Sequence, residues 1–463
     1  MLSILKEKSF YRKILALAVP ISLQSLITFG VNLMDTVMVG KFGEIALSAT
    51  SLGGSFFMIY STICMGIGCG AGVITSQYWG AGELEPIKDM TSICLKITTA
   101  IGLLFTVLSL LFPQTILKIY TSDPEVIVLG AKYLQVIAAT FVLAGLSTAG
   151  TQILRSVGQV RVSLYASIGA FIVNVFFNWV FIFGKLGMPR LEVVGAAIGT
   201  SIARLFEFCF ICGYLFFKDK IIGFRFADLK GFNRIIFAKY IKAGLPVLCS
   251  DLLMSLGSQL TTIIIGHVGS DFTAAISIAN VVNNCAFCLF FGVSNASLVM
   301  TGNTIGEGRF QDAYREALGY LVIAFGFGIV AGLMIFVVKG PIIGIYEVTE
   351  STKLITNQVL VVMSCIMPFM LMDHVFTKGV LRGGGDTKFL VVADTVFTYI
   401  LSAPLGYLAA FVLHWPCWAV FAMLKTDLVG KMVMCCTRFF SKKWIKDVTV
   451  QGSDVAKVEL PAE

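Results

Sequence analysis

Long apolar runs separated by short polar segments make up most of the chain. We count twelve runs of roughly 20 residues, the length that a helix needs to cross the hydrocarbon core of a bilayer. They are centred near residues 25, 60, 100, 138, 173, 205, 252, 288, 326, 364, 398 and 424. Because a helix satisfies its own backbone hydrogen bonds in lipid, the pattern predicts an all-α polytopic membrane protein with twelve transmembrane helices.

The second half of the chain repeats the pattern of the first half 226 residues later. Pro20 corresponds to Pro246, and Gly80 corresponds to Gly306. A duplicated helical membrane bundle predicts two lobes with a cavity between them, which is an architecture typical of transporters.

Composition supports the same class of protein. Hydrophobic residues make up 57% of the 463 and charged residues 13%, whereas a soluble domain has about 25% charged residues. With the N-terminus inside, 27 of the 35 Lys and Arg fall on the cytoplasmic side of the twelve spans. The positive-inside rule therefore predicts a multi-pass plasma-membrane protein with both termini in the cytoplasm. It also accounts for the net charge of +8 without a nucleic-acid partner.

The pattern divides the chain into four parts. We expect an N-lobe at 1–217, an amphipathic cytoplasmic linker at 218–240, a C-lobe at 241–440 and a cytoplasmic tail at 441–463. Trp444 lies among lysines in the tail, which predicts an anchor at the membrane interface.

Residues that bind cofactors or catalyse reactions are not indicated. The three His residues do not pair with Cys at metal-ligand spacing, and the twelve Cys lie mostly in apolar runs. We therefore expect no cofactor, no catalytic residue and no resident metal.

Polar side chains inside the spans are the candidates for function, because they are costly in lipid. Asp35 lies about 20 residues into the first helix, and Asn32 lies one turn before it. Asn174 and Asn178 share one face of the fifth helix, and Thr200 of the sixth helix lies at a similar depth. This oxygen-rich set suits a proton or a hard cation, with Na⁺ possible at Asp35. The alternative is that Asp35 caps a helix end or extends to the outer interface.

Three further charges lie in the spans. Arg204 and Glu207, at i and i+3 on the sixth helix, predict an internal ion pair with a structural role. Asp394, in the inner half of the eleventh helix, has either a structural or a gating role.

Five short segments recur in order across both halves. They are MDTVMVGKFG (34–43), QYWGAGE (77–83), LRSVGQVR (154–161), NTIGEGR (303–309) and VLRGGGDTK (380–388). Together with the helix-initiating prolines, they resemble the multidrug and toxic compound extrusion (MATE) family in its bacterial NorM/DinF-like branches. The resemblance covers about 430 residues.

The resemblance implies two six-helix bundles related by a pseudo-twofold axis. It also implies alternating access, with cationic or amphipathic drugs exported in exchange for protons or sodium ions. The family's N-lobe ion site matches Asp35, Asn174, Asn178 and Thr200. DinF-like members commonly have Asp where this chain has Asn178, so the site carries one carboxylate fewer.

The C-lobe departs further from the NorM-like pattern. Met254 and Leu371 occupy the positions of the carboxylates that hold sodium in NorM-like members, which argues against that sodium site here. Asp251 and Asp373 lie nearby. Each has a substrate- or ion-linked role, or is a buried carboxylate that pairs with His374 or Lys378.

Other functions fit less well. A flippase for a lipid or lipid-linked oligosaccharide commonly has a cationic cavity, and Arg204 is the one clear Arg within the spans. A membrane-embedded enzyme needs a constellation such as HExxH, which the sequence lacks. A channel remains an alternative that uncoupled, non-saturating flux would reveal. We expect small organic substrates, a lipid bilayer as surroundings, and a monomer.

Overall fold

The computed structural model describes residues 7–346, 348–450 and 456–457. Within these residues the chain forms seventeen α-helices and one pair of two-residue strands. The helices of the first half are α1 (Lys8–Gly40), α2 (Glu44–Gly80), α3 (Leu84–Leu111), α4 (Pro113–Lys118), α5 (Pro124–Ala138), α6 (Thr140–Ser156), α7 (Val160–Phe183) and α8 (Glu192–Gly213), and α9 (Arg234–Lys239) follows in the linker. Those of the second half are α10 (Leu245–Val268), α11 (Ser270–Gly306), α12 (Phe310–Ile345), α13 (Glu350–His374), α14 (Thr387–Thr395), α15 (Ala403–Tyr407), α16 (Cys417–Met423) and α17 (Asp427–Phe440).

Several helices continue into wider π-helical turns, and one short 3₁₀ turn lies in the linker. The π segments are Tyr214–Lys218, Tyr240–Gly244, Val375–Leu381, Val396–Ser402 and Leu408–Val412, and the 3₁₀ turn is Phe226–Lys230. π turns of this kind are frequent at functional sites. Three of them lie between α13 and α16, in the region that also holds the buried charges of Arg382, Asp386 and Asp394.

The predicted all-α polytopic class is confirmed. Among the described residues, nine helical segments are long and apolar enough to cross a bilayer. Two bent pairs raise the number to eleven: α5 with α6, at 53°, and the two parts of α11, at 41°. The twelfth predicted run, centred on residue 424, falls at the turn between α16 and α17. These two helices have 7 and 14 residues, and each is too short to cross a bilayer alone.

The chain sorts into two compact units. Unit 1 comprises Met1–Ser22, Ser76–Gly82 and Ile241–Glu463, and unit 2 comprises Leu23–Thr75 and Glu83–Tyr240. α1 therefore changes unit after Ser22. Pro20, just before this point, lacks the N–H that would continue the hydrogen-bond ladder of the helix.

Each unit has its own packed interior. In unit 2, α8 packs against α5, α6 and α7, and α3 packs against α6. Its aromatic core surrounds Tyr60. The ring centroids of Tyr60 and Phe105 are 5.1 Å apart, and the Tyr60 hydroxyl donates to the carbonyl of Phe141. In unit 1, α13 packs against α11 and α12, and α10 packs against α14.

Within unit 1, the end of α2 crosses α11 at contacts that follow the sequence repeat. A Cβ atom on Gly80 would overlap the backbone of Asn303, and one on Gly306 would overlap the backbone of Gln77. Gly80 and Gln77 are the repeat equivalents of Gly306 and Asn303. The two copies of the motif therefore pack against each other reciprocally, and both contacts require glycine because the backbones touch.

The tail beyond α17 corrects one prediction. Trp444 is 0% exposed and stacks on Phe439 with ring centroids 5.6 Å apart. The segment continues as strand β1 (Lys446–Asp447), which pairs antiparallel with β2 (Ala456–Lys457). Trp444 as an interface anchor is therefore wrong, because the chain turns back against Gly384 and buries the indole in unit 1.

The linker contacts unit 2 through polar groups. Asp219 accepts a 2.8 Å hydrogen bond from Gln159, and Lys96 donates to the carbonyl of Gly231 at 2.6 Å. Phe226 and Phe232 are exposed. Phe224, between them and Asp219, is buried.

Gly80→Ala is expected to destabilise the protein by about 1–3 kcal/mol, the usual effect of forcing atoms into a packed contact. Gly72→Ala is the matched control, since it lies in the same helix with nothing within 4 Å of an added Cβ. It should not lower stability, because alanine favours a helix by about 1 kcal/mol over glycine. Thermal unfolding in detergent measures both, and equal melting temperatures would contradict the crossing.

Candidate functional site

Three helices of unit 2 place polar side chains around one cavity. α1 contributes Asn32 and Asp35, α7 contributes Asn174, and α8 contributes Thr200. The structure therefore brings these four predicted residues to one place, although they lie up to 168 positions apart in the chain. The fifth, Asn178, lies directly behind the cavity wall.

Asn178 is the central contact of this group. Its Nδ2 donates to Oδ1 of Asp35 at 2.5 Å and to Oδ1 of Asn174 at 3.2 Å. In this orientation both neighbours of the nitrogen are acceptors. Asp35 is half-buried, whereas Asn174 and Asn178 are buried. An amide donor thus stabilises the carboxylate without neutralising it.

Two polar atoms of the same group have no hydrogen-bond partner among the described residues. They are Oδ1 of Asn178 and Nδ2 of Asn174, and both are buried. Buried polar atoms are normally satisfied, and exceptions concentrate where water or an ion belongs. These two atoms are the ones in the group that a small polar ligand or water would satisfy.

Close packing of α7 and α8 creates the arrangement. A Cβ atom on Gly199 would overlap Oδ1 of Asn178, and one on Gly195 would overlap the carbonyl of Phe181. The segment GAAIGTS (195–201) supplies small residues on α8. Small residues let two helix backbones approach closely in a membrane, and this approach brings Thr200 next to the Asp35 site.

The predicted pair of Arg204 and Glu207 forms, with Nη1 of Arg204 3.0 Å from Oε2 of Glu207. Both residues line the same cavity as Asp35. The guanidinium lies over the ring of Phe57, 5.2 Å from its centroid. The sequence predicts the pair from its spacing, but it gives no sign that the pair faces the cavity.

In unit 1, Asp251 is tied to two cations. Lys378 donates to it at 2.9 Å, and Arg382 donates to both of its oxygens at 2.8 and 3.2 Å. Of the two pairings considered for this carboxylate, the structure has Lys378. Lys378 belongs to the π segment Val375–Leu381, which turns it toward α10.

The network extends through Asp394 to the last helix. Lys431 Nζ lies 3.1 Å from Asp394 and 3.5 Å from Asp427, and Ser250 donates its hydroxyl to Asp394. Lys431 and Asp394 have side chains 2% exposed. From the sequence, Lys431 is assigned to the cytoplasmic side as an exposed cation. The one signal that could have indicated its burial is that Asp394, inside a span, needs a cationic partner.

Asp373 differs from these carboxylates. It is buried, and its Oδ1 has no hydrogen-bond partner among the described residues. Its neighbour His374 is also left with Nε2 unpartnered and packs 5.1 Å from the ring of Phe287. The described residues hold no group of three or more His, Cys, Asp or Glu that could bind a metal ion.

Comparison with known proteins gives two matches to one family model. The model, described as MatE, matches residues 20–180 and 246–408. The second match begins 226 residues after the first, which is the offset of the sequence repeat. Both halves of the chain are therefore copies of the same family unit.

Individual relatives cover most of the chain. It is 23% identical over 446 residues to "Uncharacterized transporter YisQ" of Bacillus subtilis, covering 95% of this chain and 96% of that protein. It is 26% identical over 416 residues to "Probable multidrug resistance protein NorM" of Halalkalibacterium halodurans, covering 88% of each.

A solved structure shares the fold. It is titled "Outward-facing conformation of a multidrug resistance MATE family transporter of the MOP superfamily". It matches with a TM-score of 0.82 at 20% identity, covering 93% of this chain and 94% of that one.

Lys431→Met is expected to lower stability by about 3–5 kcal/mol, because it leaves Asp394 buried with its main cation removed. The double variant Lys431→Met with Asp394→Leu should recover much of this loss, since the fully buried carboxylate is removed and the remaining partner, Asp427, is partly exposed. Thermal unfolding in detergent measures both.

The control is Lys353→Met, which breaks an exposed pair with Glu350 and should change stability by no more than about 1 kcal/mol. If Lys431→Met and Lys353→Met melt alike, the buried network does not stabilise the second half.

Proposed function

Because this chain belongs to the MatE family of multidrug and toxic compound extrusion transporters, we propose that it is a secondary active antiporter. In this proposal it exports cationic or amphipathic organic compounds in exchange for protons or sodium ions. The family consists of transporters rather than enzymes, so the task of the site is to bind and release rather than to catalyse.

The observation that carries the proposal is the half-buried Asp35 carboxylate, which lines a cavity and has an amide donor as its partner. A carboxylate inside a membrane span is a functional candidate by default, since lipid cannot solvate it. A cation in the cavity would therefore be attracted to Asp35. An arriving proton or sodium ion would compete with a cationic substrate for the same charge.

Competition alone does not drive transport. The ion has to bind one conformation of the transporter more tightly than the other, because equal affinities shift no equilibrium. In our mechanism, the coupling ion neutralises Asp35 while the site faces outward, which releases the substrate. Loss of the ion to the inside restores the charge and with it the affinity for the next substrate.

The orientation of Asn178 favours the proton as the coupling ion. Nδ2 faces Asp35, and an amide nitrogen does not ligate a hard cation, which takes oxygen ligands. A sodium ion would need the amide of Asn178 turned around, and that of Asn174 turned with it so that two oxygens do not face each other. A proton on Asp35 needs no such change.

We further propose a monomer in the plasma membrane with both termini in the cytoplasm. The bias of Lys and Arg toward one side of the spans supports this orientation.

Asp35→Asn should reduce ion-driven export to background. The amide keeps the size of the side chain but carries no negative charge for a coupling ion or a cationic substrate to bind. Proteoliposomes preloaded with ethidium measure this directly. Asp312→Asn is the control, since Asp312 is an exposed Asp paired with Arg309. Wild-type rates in Asp35→Asn at equal reconstitution would remove Asp35 from the mechanism.

Separate gradients identify the ion. We expect a pH gradient alone to drive wild-type export. A sodium gradient imposed at constant pH should leave the export rate unchanged, because Asn178 presents a nitrogen and not an oxygen ligand to Asp35. The readout is the initial rate of ethidium movement under each gradient. Export driven by sodium alone would overturn the choice of the proton while leaving antiport in place.

A further inference from the structure

A guanidinium in the cavity of a cation exporter is unexpected, because like charges repel. Arg204 nevertheless lines the same cavity as Asp35. Its side chain is 32% exposed, and that of its partner Glu207 is 16% exposed. The pair is thus open to the cavity rather than sealed between helices.

The geometry leaves most of the guanidinium available. Nη1 donates to Glu207, and among the described residues no acceptor receives a hydrogen bond from Nε or Nη2 of Arg204. Arginine carries five N–H donors in a planar fork that fits a carboxylate bidentately. The ring of Phe57 supports the head from one side, so the fork is held in place before any ligand binds.

The cavity charges alternate in sign. Asp35 and Glu207 are acidic, and Arg204 is basic. A ligand with a positive group for Asp35 and a carboxylate for the free N–H groups of Arg204 would match both. A purely cationic ligand would match Asp35 alone.

We propose that Arg204 is a specificity-determining residue that binds the carboxylate of zwitterionic amphipathic substrates. Glu207 holds the guanidinium while the cavity is empty. The inference rests on the proposed export function and adds a substrate class to it. If the ion pair were purely structural, loss of Arg204 would affect the export of every substrate equally.

Two dyes separate these cases, because they share one fused-ring cation and differ in a single group. Rhodamine 110 carries a free carboxylate, and rhodamine 123 is its methyl ester. Purified protein in proteoliposomes preloaded with either dye gives initial export rates under an ion gradient, and hence KM for each dye.

Arg204→Gln is expected to raise KM for rhodamine 110 about tenfold or more, as befits loss of a charge-assisted hydrogen bond. KM for rhodamine 123 should stay the same or fall, because loss of Arg204 leaves Glu207 as an unpaired negative charge in the cavity. Arg204→Lys keeps the charge without the fork and should give an intermediate KM for rhodamine 110. It also keeps the test available if Arg204→Gln folds poorly.

Arg190→Gln is a closely matched control. Arg190 also pairs with a glutamate, Glu192, at 3.1 Å and lies over a phenylalanine ring, Phe42, at 4.6 Å, but it is exposed on a loop outside the cavity. Its substitution should leave KM unchanged for both dyes.

The possible failures are distinguishable. Equal changes in KM for the two dyes, or export of rhodamine 123 with none of rhodamine 110 by the wild type, would overturn the role of Arg204 and leave the export function intact. Absence of ion-driven movement of both dyes in the wild type would overturn the proposed function and this inference together.

Discussion

Charged side chains inside a bilayer have to be stabilised by the protein, because hydrocarbon offers neither water nor counterions. This constraint decides what each charge can do. Asp251 is held by Lys378 and Arg382, and such a carboxylate has little left to offer an incoming cation. Asp35 is held by the amide of Asn178, which leaves its negative charge uncompensated. In our proposal, this difference between an amide partner and a cationic partner separates the site that exchanges ions from the network that stabilises the fold.

The sequence repeat and the chemistry follow different rules. Reciprocal backbone contacts at Gly80 and Gly306 need glycine in both copies, since a Cβ atom at either place meets main-chain atoms. Charges are under no such demand. Asp35 has Thr261 as its equivalent, and Asp251 has Ser25. Arg382 does have a basic equivalent, Arg155, but Arg155 donates to the amide oxygen of Gln24 and not to a carboxylate. Duplication therefore constrains helix packing while leaving each copy free to place its own polar groups.

Much of the fold was predictable because apolar runs of span length report directly on helices in lipid. The amide and hydroxyl residues of the Asp35 site were predictable for a related reason, since polar side chains in such runs are few. The residues that each buried side chain contacts were not predictable from the sequence. Lys431 is counted among the cytoplasmic cations after the last span, and Trp444 lies in the polar tail. Yet Lys431 is buried against Asp394 and Trp444 against Gly384. Only the three-dimensional path of the chain supplies these contacts.

Asn178 and Arg204 also have to be considered together, because both set the charge of the cavity. An asparagine in place of an aspartate removes one negative charge beside Asp35. The pair of Arg204 with Glu207 adds a charge of each sign and leaves the total unchanged. One net negative charge remains, enough to hold one monovalent cation at a time. In the proposed exchange, one coupling ion therefore moves for one positive group on the substrate, and Arg204 neutralises the carboxylate of a zwitterion without a second ion.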